Sequence, residues 1–270
     1  MAPDINEDTS EPDGLEGKVL SWLASQGYPL EMRLAQAFRK VAHVTQSEFY
    51  LDSDRGGQRE IDVVVSSRPW QSADGETWFD FELCVEVKGS PDKPWIVFAG
   101  DRNPLHPVAS VSQRYRSSAT EPWWDLLAQA PAIQRLPLFA IEDNPGYGVV
   151  RATFSSSQRE DVAYAAVMGA AKASAALTSR TDVTPPLSKV SVVALPVVFI
   201  DAPLFKCRLD GLGLPKLSRT DRATLVWRNN VGTSTGHTIV LIVTESGLQS
   251  LVEDFCETAV NLGKWLTRYR

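Results

Sequence analysis

Cysteine is scarce in this 270-residue chain, where Cys84, Cys207 and Cys256 are the only three. They are too few and too scattered for a disulfide framework, and their spacing fits no zinc site. Long apolar runs are missing as well. No stretch approaches the roughly 20 apolar residues that span a bilayer, and the N-terminus lacks the basic-then-apolar pattern of a secretion signal. A soluble chain in the reducing cytoplasm, with no membrane partner, is the expectation. Lysine and arginine are absent from residues 1–17, which hold six acids: Asp4, Glu7, Asp8, Glu11, Asp13 and Glu16. The net charge of −6 belongs to that segment, because the rest of the chain carries 27 acids against 27 Lys and Arg. A neutral body neither announces nor excludes nucleic-acid binding. No repeat, helix-turn-helix or zinc finger is recognisable, and His43, His106 and His237 form no motif.

The 43% hydrophobic content is enough for a sizeable core. Residues 1–14 read as an acidic, disordered tail, and residues 15–270 as a single α/β domain with an insertion at about 100–150. Leu15 to Ser25 has helical spacing and stops at Gly27. The apolar positions Leu30, Leu34, Ala37, Phe38 and Val41 then mark an amphipathic helix with Pro29 and Glu31 in its first turn. Three strands follow, around Glu48–Leu51, Arg59–Val65 and Trp78–Lys88, separated by glycine-containing polar turns, as in a meander. Lys93–Phe98 reads as another extended piece. The alanine-rich stretch from Ser155 to about Leu177 predicts a helix, and Thr181–Pro186 a linker. Val190–Ile200 has the nearly uncharged pattern of a central strand buried on both faces. Thr224–Arg228 and Thr238–Thr244 read as strands, and Glu245 to Tyr269 as a closing helix.

Two of these strands carry acids where a buried strand should have none. Asp62 sits within Ile61-Asp62-Val63-Val64-Val65, and Glu86 within Val85-Glu86-Val87-Lys88. A buried, unpaired carboxylate costs several kcal/mol, so such acids are usually paired with a cation or bound to a metal. Side chains alternate along a strand, which puts Glu86 and Lys88 on one face and Val85 and Val87 on the other. Two carboxylates and an ammonium on neighbouring strands make a candidate divalent-cation site. The plainer readings are a same-face Glu86–Lys88 ion pair, an Asp62–Arg59 pair, and a Glu31 favoured at its position by the helix dipole alone. Glu82 and Glu60 share faces with Glu86 and Asp62 and are rival ligands.

In order and type, these residues resemble the PD-(D/E)XK, or restriction-endonuclease-like, nuclease superfamily. Its core runs helix, three strands, helix, strand, with an Asp on the second strand and a (D/E)-x-K triplet on the third. Ile61-Asp62 and Glu86-Val87-Lys88 stand at those places, 24 residues apart. Glu31, in Tyr28-Pro29-Leu30-Glu31, matches the acid that many members add on the first helix. Residues 28–100 carry the resemblance, and the elements beyond extend it by order alone. Ile61 stands where many members have proline, the 89–155 connection is long for the minimal core, and no Gln-x-x-x-Tyr pattern occurs on the second helix.

The resemblance implies a restriction-endonuclease-like fold, with a mixed sheet flanked by helices, an insertion and a C-terminal extension. It implies a Mg²⁺-dependent endodeoxyribonuclease, with Mn²⁺ able to substitute. Asp62, Glu86 and the Val87 carbonyl would be oxygen ligands, and Glu31 would support a second metal or a water. Lys88 would orient the attacking water and offset charge in the transition state. The expected partner is DNA, with RNA less favoured, and a second copy of the chain or a targeting protein is a further expectation. The competing expectation is an inactive binding or scaffold module of the same fold. Arg102, Arg114 and Arg116, and the basic residues Lys206, Arg208, Lys216, Arg219, Arg222 and Arg228, are candidates for phosphate contacts. Trp95 and the Trp123-Trp124 pair are candidates for base stacking, although most tryptophans are expected in the core.

Overall fold

The acids picked out in the sequence lie on a three-stranded antiparallel meander, β1 (His43–Asp52), β2 (Gly57–Gln71) and β3 (Thr77–Lys88). A computed structural model describes residues 14–24, 26–52, 54, 56–153, 161–183, 189–229 and 236–269. Nearly all of the segment read as an acidic tail lies outside these residues, as does 155–160 of the alanine-rich stretch. Two helices precede the meander, α1 (Leu15–Ala24) and α2 (Tyr28–Phe38). The long connection after β3 holds β4 (Trp95–Ala99), α3 (Pro107–Ser112), β5 (Tyr115–Arg116), α4 (Glu121–Ala128), α5 (Pro131–Gln134) and β6 (Gly146–Arg151). Then come α6 (Val162–Val183), β7 (Lys189–Ile200), β8 (Leu204–Leu209), β9 (Pro215–Thr220), β10 (Arg222–Asn229), β11 (Gly236–Thr244) and α7 (Leu248–Tyr269).

Among the described residues all these strands join one mixed sheet, in the order β1-β2-β3-β7-β11-β10-β6-β4-β8-β9, with β5 paired to β7. The meander is antiparallel, while β3–β7 and β7–β11 are parallel. β6 meets β10 at one residue pair only, Gly146 with Leu225. A Cβ at Gly146 would lie 2.3 Å from Val97 Cγ1 and 2.7 Å from Leu225 Cδ2, so only glycine fits at this junction. The molecule is therefore α/β, with a large mixed sheet flanked by helices. Among the described residues no helix is long and apolar enough to cross a membrane.

Each face of the sheet buries its own core. On one, Val85, Val87, Val193, Leu195, Val197 and Phe199 pack with Phe38 of α2 and Phe255 and Leu262 of α7. On the other, Val198, Ile200 and Ala194 meet Ala163, Ala166, Ala170 and Ala173 of α6. Alternate residues of β7 enter the two cores, as its uncharged run predicts. Alanine on α6 lets the helix backbone approach the sheet closely. Trp124, Phe139 and Ile133 are buried in the first core beside Phe79 and Phe81, so the insertion completes that core rather than decorating it. The helix over 155–177 extends to Val183, which places the start of the expected linker inside α6; residues 184–188 lie outside the described residues.

Candidate metal centre

The β2–β3 ladder ends at Val63↔Val85, and Asp62 and Glu86 are the next residues beyond that pair on the two strands. Opposite positions in an antiparallel pair bring side chains within contact distance. The Val87 N–H donates to Asp62 Oδ2 at 2.6 Å. Lys88 Nζ donates to Glu86 Oε1 at 2.7 Å and to the Val87 carbonyl at 3.1 Å, and lies 4.0 Å from Asp62 Oδ2. The structure thus brings Asp62, Glu86, Val87 and Lys88 together around one point. Glu31 stands at the margin, on the first turn of α2, close enough to feel the charges of Asp62, Lys88, Glu60 and Glu86.

A break in β1 and β2 explains how Asp62 reaches this point. Gln46 pairs with Val63 and Glu48 with Ile61 in one register, and the Ser47–Asp62 rung between them is missing. Ser47 has φ 58°, the left-handed region that an L residue seldom adopts. Ile61 and Val64 enter the same core cluster with Tyr50 and Cys84, whereas Val63 and Val65 enter the opposite one. Strict alternation would have put Ile61 with Val63, so it fails across residue 62. One residue on each strand is skipped and the pairing resumes in the same register, so this is a missing rung of the ladder rather than an inserted residue.

Electrostatically the centre holds more acid than base. Burial pushes the Asp62 carboxyl above its ordinary range, against the Val87 N–H and the Lys88 charge. Glu86 is also raised, by burial first; Lys88 lowers it and Asp62 adds to the rise. Burial and the Asp62 charge lift Glu31 to about 7. Glu82 is farther down the same strand, hydrogen-bonded to Ser66, and burial raises it to about 7 as well.

Among the described residues no group of three or more His, Cys, Asp or Glu side chains is gathered tightly enough to hold a metal ion. The donors that do converge are two carboxylates and one backbone carbonyl, all hard oxygens of the kind that suits Mg²⁺. A cation already occupies the point they share, because the Lys88 ammonium touches Glu86 and the Val87 carbonyl and faces Asp62. The donor types are those a hard divalent cation takes, but as the side chains stand the Lys88 ammonium fills the point where they meet.

Several contributors escaped the sequence reading. Arg59 pairs with Asp52 at 3.5 Å rather than with Asp62. Asp52 is enclosed and also meets Lys172 of α6 at 3.3 Å. Gly169 of α6 presses on Glu86, where a Cβ would lie 3.2 Å from Oε2, and its carbonyl accepts from the Tyr50 hydroxyl at 3.4 Å. A lone glycine in an alanine-rich helix was the only signal available for that contact.

Other expectations are corrected. Arg114 is buried, donating to the Ser110 and Leu138 carbonyls beneath the Phe139 ring, and burial lowers it to about 9. Arg116 donates to the Ser112 carbonyl at 2.6 Å. Trp95, Trp123 and Trp124 are buried in the cores, out of reach of a base. In the second basic stretch Lys206 is tied to Glu142, Arg208 to Asn144 and Arg222 to Asp254, leaving Lys216 and Arg219 exposed on β9. Comparison of the chain with protein-family models, curated proteins and solved structures found no match.

Proposed function

We propose that this chain is a metal-dependent nuclease with a restriction-endonuclease-like core, hydrolysing phosphodiester bonds of DNA. The observation that carries the reading is the convergence of Asp62, Glu86, the Val87 carbonyl and Lys88 on one point of adjacent strands. Asp62, Glu86 and the Val87 carbonyl would hold Mg²⁺ or Mn²⁺, with Glu31 beside them. When bound, the cation would supply Lewis acidity toward water and the phosphate. Lys88, displaced from the oxygens, would carry positive charge toward the negative charge that develops on the phosphate. The Val87 N–H fixes one oxygen of Asp62, so the carboxylate presents the other in a set orientation. Gly169 and Tyr50 hold α6 against Glu86.

The order of elements supports the same reading: α2, the β1–β3 meander, α6 crossing over, and β7 parallel to β3. Two copies acting together, or a targeting partner, would complete cleavage of both strands. A second reading, an inactive module of the same fold, is favoured by one observation. Lys88 neutralises Glu86 directly, and only two acidic side chains meet at the shared point.

The experiment is cleavage of mixed DNA and RNA with Mg²⁺ or Mn²⁺ by the native chain and by Lys88→Ala and Asp62→Ala. Loss of cleavage in both variants, with unchanged far-UV spectra, supports the nuclease. A folded native chain that cuts neither polymer supports the inactive module.

A further inference from the structure

Most arginine and lysine side chains near the sheet have an acidic partner: Arg59, Arg68, Lys172, Arg180, Lys206 and Arg222 each meet a carboxylate. Arg151 does not. No carboxylate of the described residues lies within salt-bridge distance of it. Its Nε is buried without a hydrogen-bond partner, and Nη1 makes one long bond, 3.4 Å, to Ser90 Oγ. The residue itself is half-buried, so the guanidinium is held in place without being sealed from solvent. A partly buried cation lacking both counter-charge and a full set of acceptors is an electrostatic deficit that an anion would correct.

Its position gives that deficit a meaning. Ser90 is two residues beyond Lys88, and the loop between them is fixed. Asp201 Oδ1 accepts from the Ser90 N–H at 2.7 Å, and the Ser90 carbonyl accepts from the Lys93 N–H at 3.0 Å. A Cβ at Gly89 would stand 3.5 Å from both Asp201 Oδ2 and the Cα of Gly27, the residue that begins α2. The loop is thus clasped between β7's end and the helix bearing Glu31, and Arg151 closes it from the strand β6. Asp201 is occupied by the Ser90 amide, and neither it nor the exposed Asp92 of the loop comes within salt-bridge distance of Arg151.

We propose that Arg151 and Ser90 form a seat for a backbone phosphate of a nucleic acid, next to the Asp62–Glu86–Lys88 centre. The proposal rests on the nuclease reading and deepens it: the substrate is a polymer held by a phosphate other than the one cleaved. A guanidinium fork suits that role, since it meets phosphate oxygens in a fixed geometry and cannot lose its proton.

The test measures binding of a short fluorescein-labelled DNA duplex in Ca²⁺ across roughly 50–200 mM salt, and cleavage in Mg²⁺. Neutralising one phosphate contact lowers the slope of log K against log salt by about 0.9. Arg151→Gln is expected to lose that amount of slope, weaken binding roughly tenfold and raise KM more than it lowers kcat. Arg151→Lys keeps the charge and is expected to restore the slope, which a packing defect would not do. A native chain that cuts while Arg151→Gln keeps the native slope and affinity overturns the seat and leaves the nuclease standing. So does a slope that stays low in the lysine variant. A native chain that neither binds nor cuts the duplex overturns both.

Discussion

Two clusters of acids and bases sit side by side on the same strands, and they are in opposite electrostatic condition. At the end of β1, Asp52 is wholly enclosed, yet its carboxyl is held below its ordinary range. Burial alone would raise it; the Asp54 N–H, Lys172 and Arg59 more than compensate. Within β2 and near the end of β3, Asp62 and Glu86 are less enclosed, with side chains 21% and 13% exposed, yet both are raised, and Glu31 with them. Two acids, Asp52 and the exposed Asp54, share Lys172 and Arg59, whereas three acids share Lys88. A satisfied cluster behaves as structure, whereas a cluster left short of positive charge behaves as a place where a cation is wanted. Sequence alone does not separate the two, since both consist of ordinary acids and bases on strands.

The sharpest break of this contrast is Asp52→Ala. It removes the enclosed acid between Lys172 and Arg59, leaving Lys172 only the exposed Asp54 at 2.7 Å. Removing one member of a buried ion pair costs about 3–5 kcal/mol, read as a lower denaturant midpoint. Next in size is Glu82→Gln. The usual glutamate value is 4.5 and the folded value about 7, so the unfolded chain releases this proton first as pH rises. Stability is therefore lost between pH 4.5 and about 7, by about 3 kcal/mol at 1.36 kcal/mol per pH unit. The neighbours that set this are Asp80 and Glu48, which raise the value, and Arg180 and Ser66, which lower it. Glu82→Gln should match the native chain near pH 4, exceed it at pH 8, and flatten the decline between. A variant less stable at pH 8 would show that Glu82 is ionised and paired in the folded chain.

Much of this was legible in advance and some was not, for reasons that are physical. The acids of β2 and β3 announced themselves because an apolar strand gives no other explanation for them. The both-face burial of β7 followed from eleven residues without a charge, Val190–Ile200. What failed was strict alternation at Asp62, since the β1–β2 ladder skips the Ser47–Asp62 pair with no change of register, and neither residue is a glycine or proline that would mark the place. The strand β6 was missed because its partners β4 and β10 are distant in the chain, and the β8–β9 hairpin because its exposed, mixed pattern shows no apolar alternation. Arg114 looked like a phosphate ligand because sequence does not reveal which arginine will be roofed by an aromatic ring. Gly169 is the same problem in reverse: its function is the absence of an atom beside Glu86.

A third test uses the cation itself. Ligand bound only by the folded chain stabilises it by RT ln(1 + [L]/Kd), about 2.7 kcal/mol at one hundred times Kd. Protons compete for the same oxygens, and Asp62, Glu86 and Glu31 all hold theirs to higher pH than ordinary acids do. The rise in melting temperature with Mg²⁺ should therefore be larger at pH 8 than at pH 5. An equal rise at both would place the ion elsewhere.

The smallest effect is the most discriminating. Glu86 is raised even though Lys88 lies 2.7 Å away, so ionising it in the folded chain is a net cost. Its contribution is complete below the unfolded value and is lost as pH climbs through the folded one. Glu86→Gln removes that cost together with the ion pair, and should gain about 1 kcal/mol at pH 8, the usual scale of one substitution, and nothing near pH 4. The same variant should lose the Mg²⁺-dependent rise in melting temperature. Asp52→Ala, opposite in sign for stability, should keep that rise at any temperature where it remains folded. If Glu86→Gln instead destabilises the chain at pH 8 while Mg²⁺ still raises its melting temperature, Glu86 is an anchor for Lys88 like Asp52 for Lys172. The two clusters would then be the same kind of structure, differing only in how well they are buried.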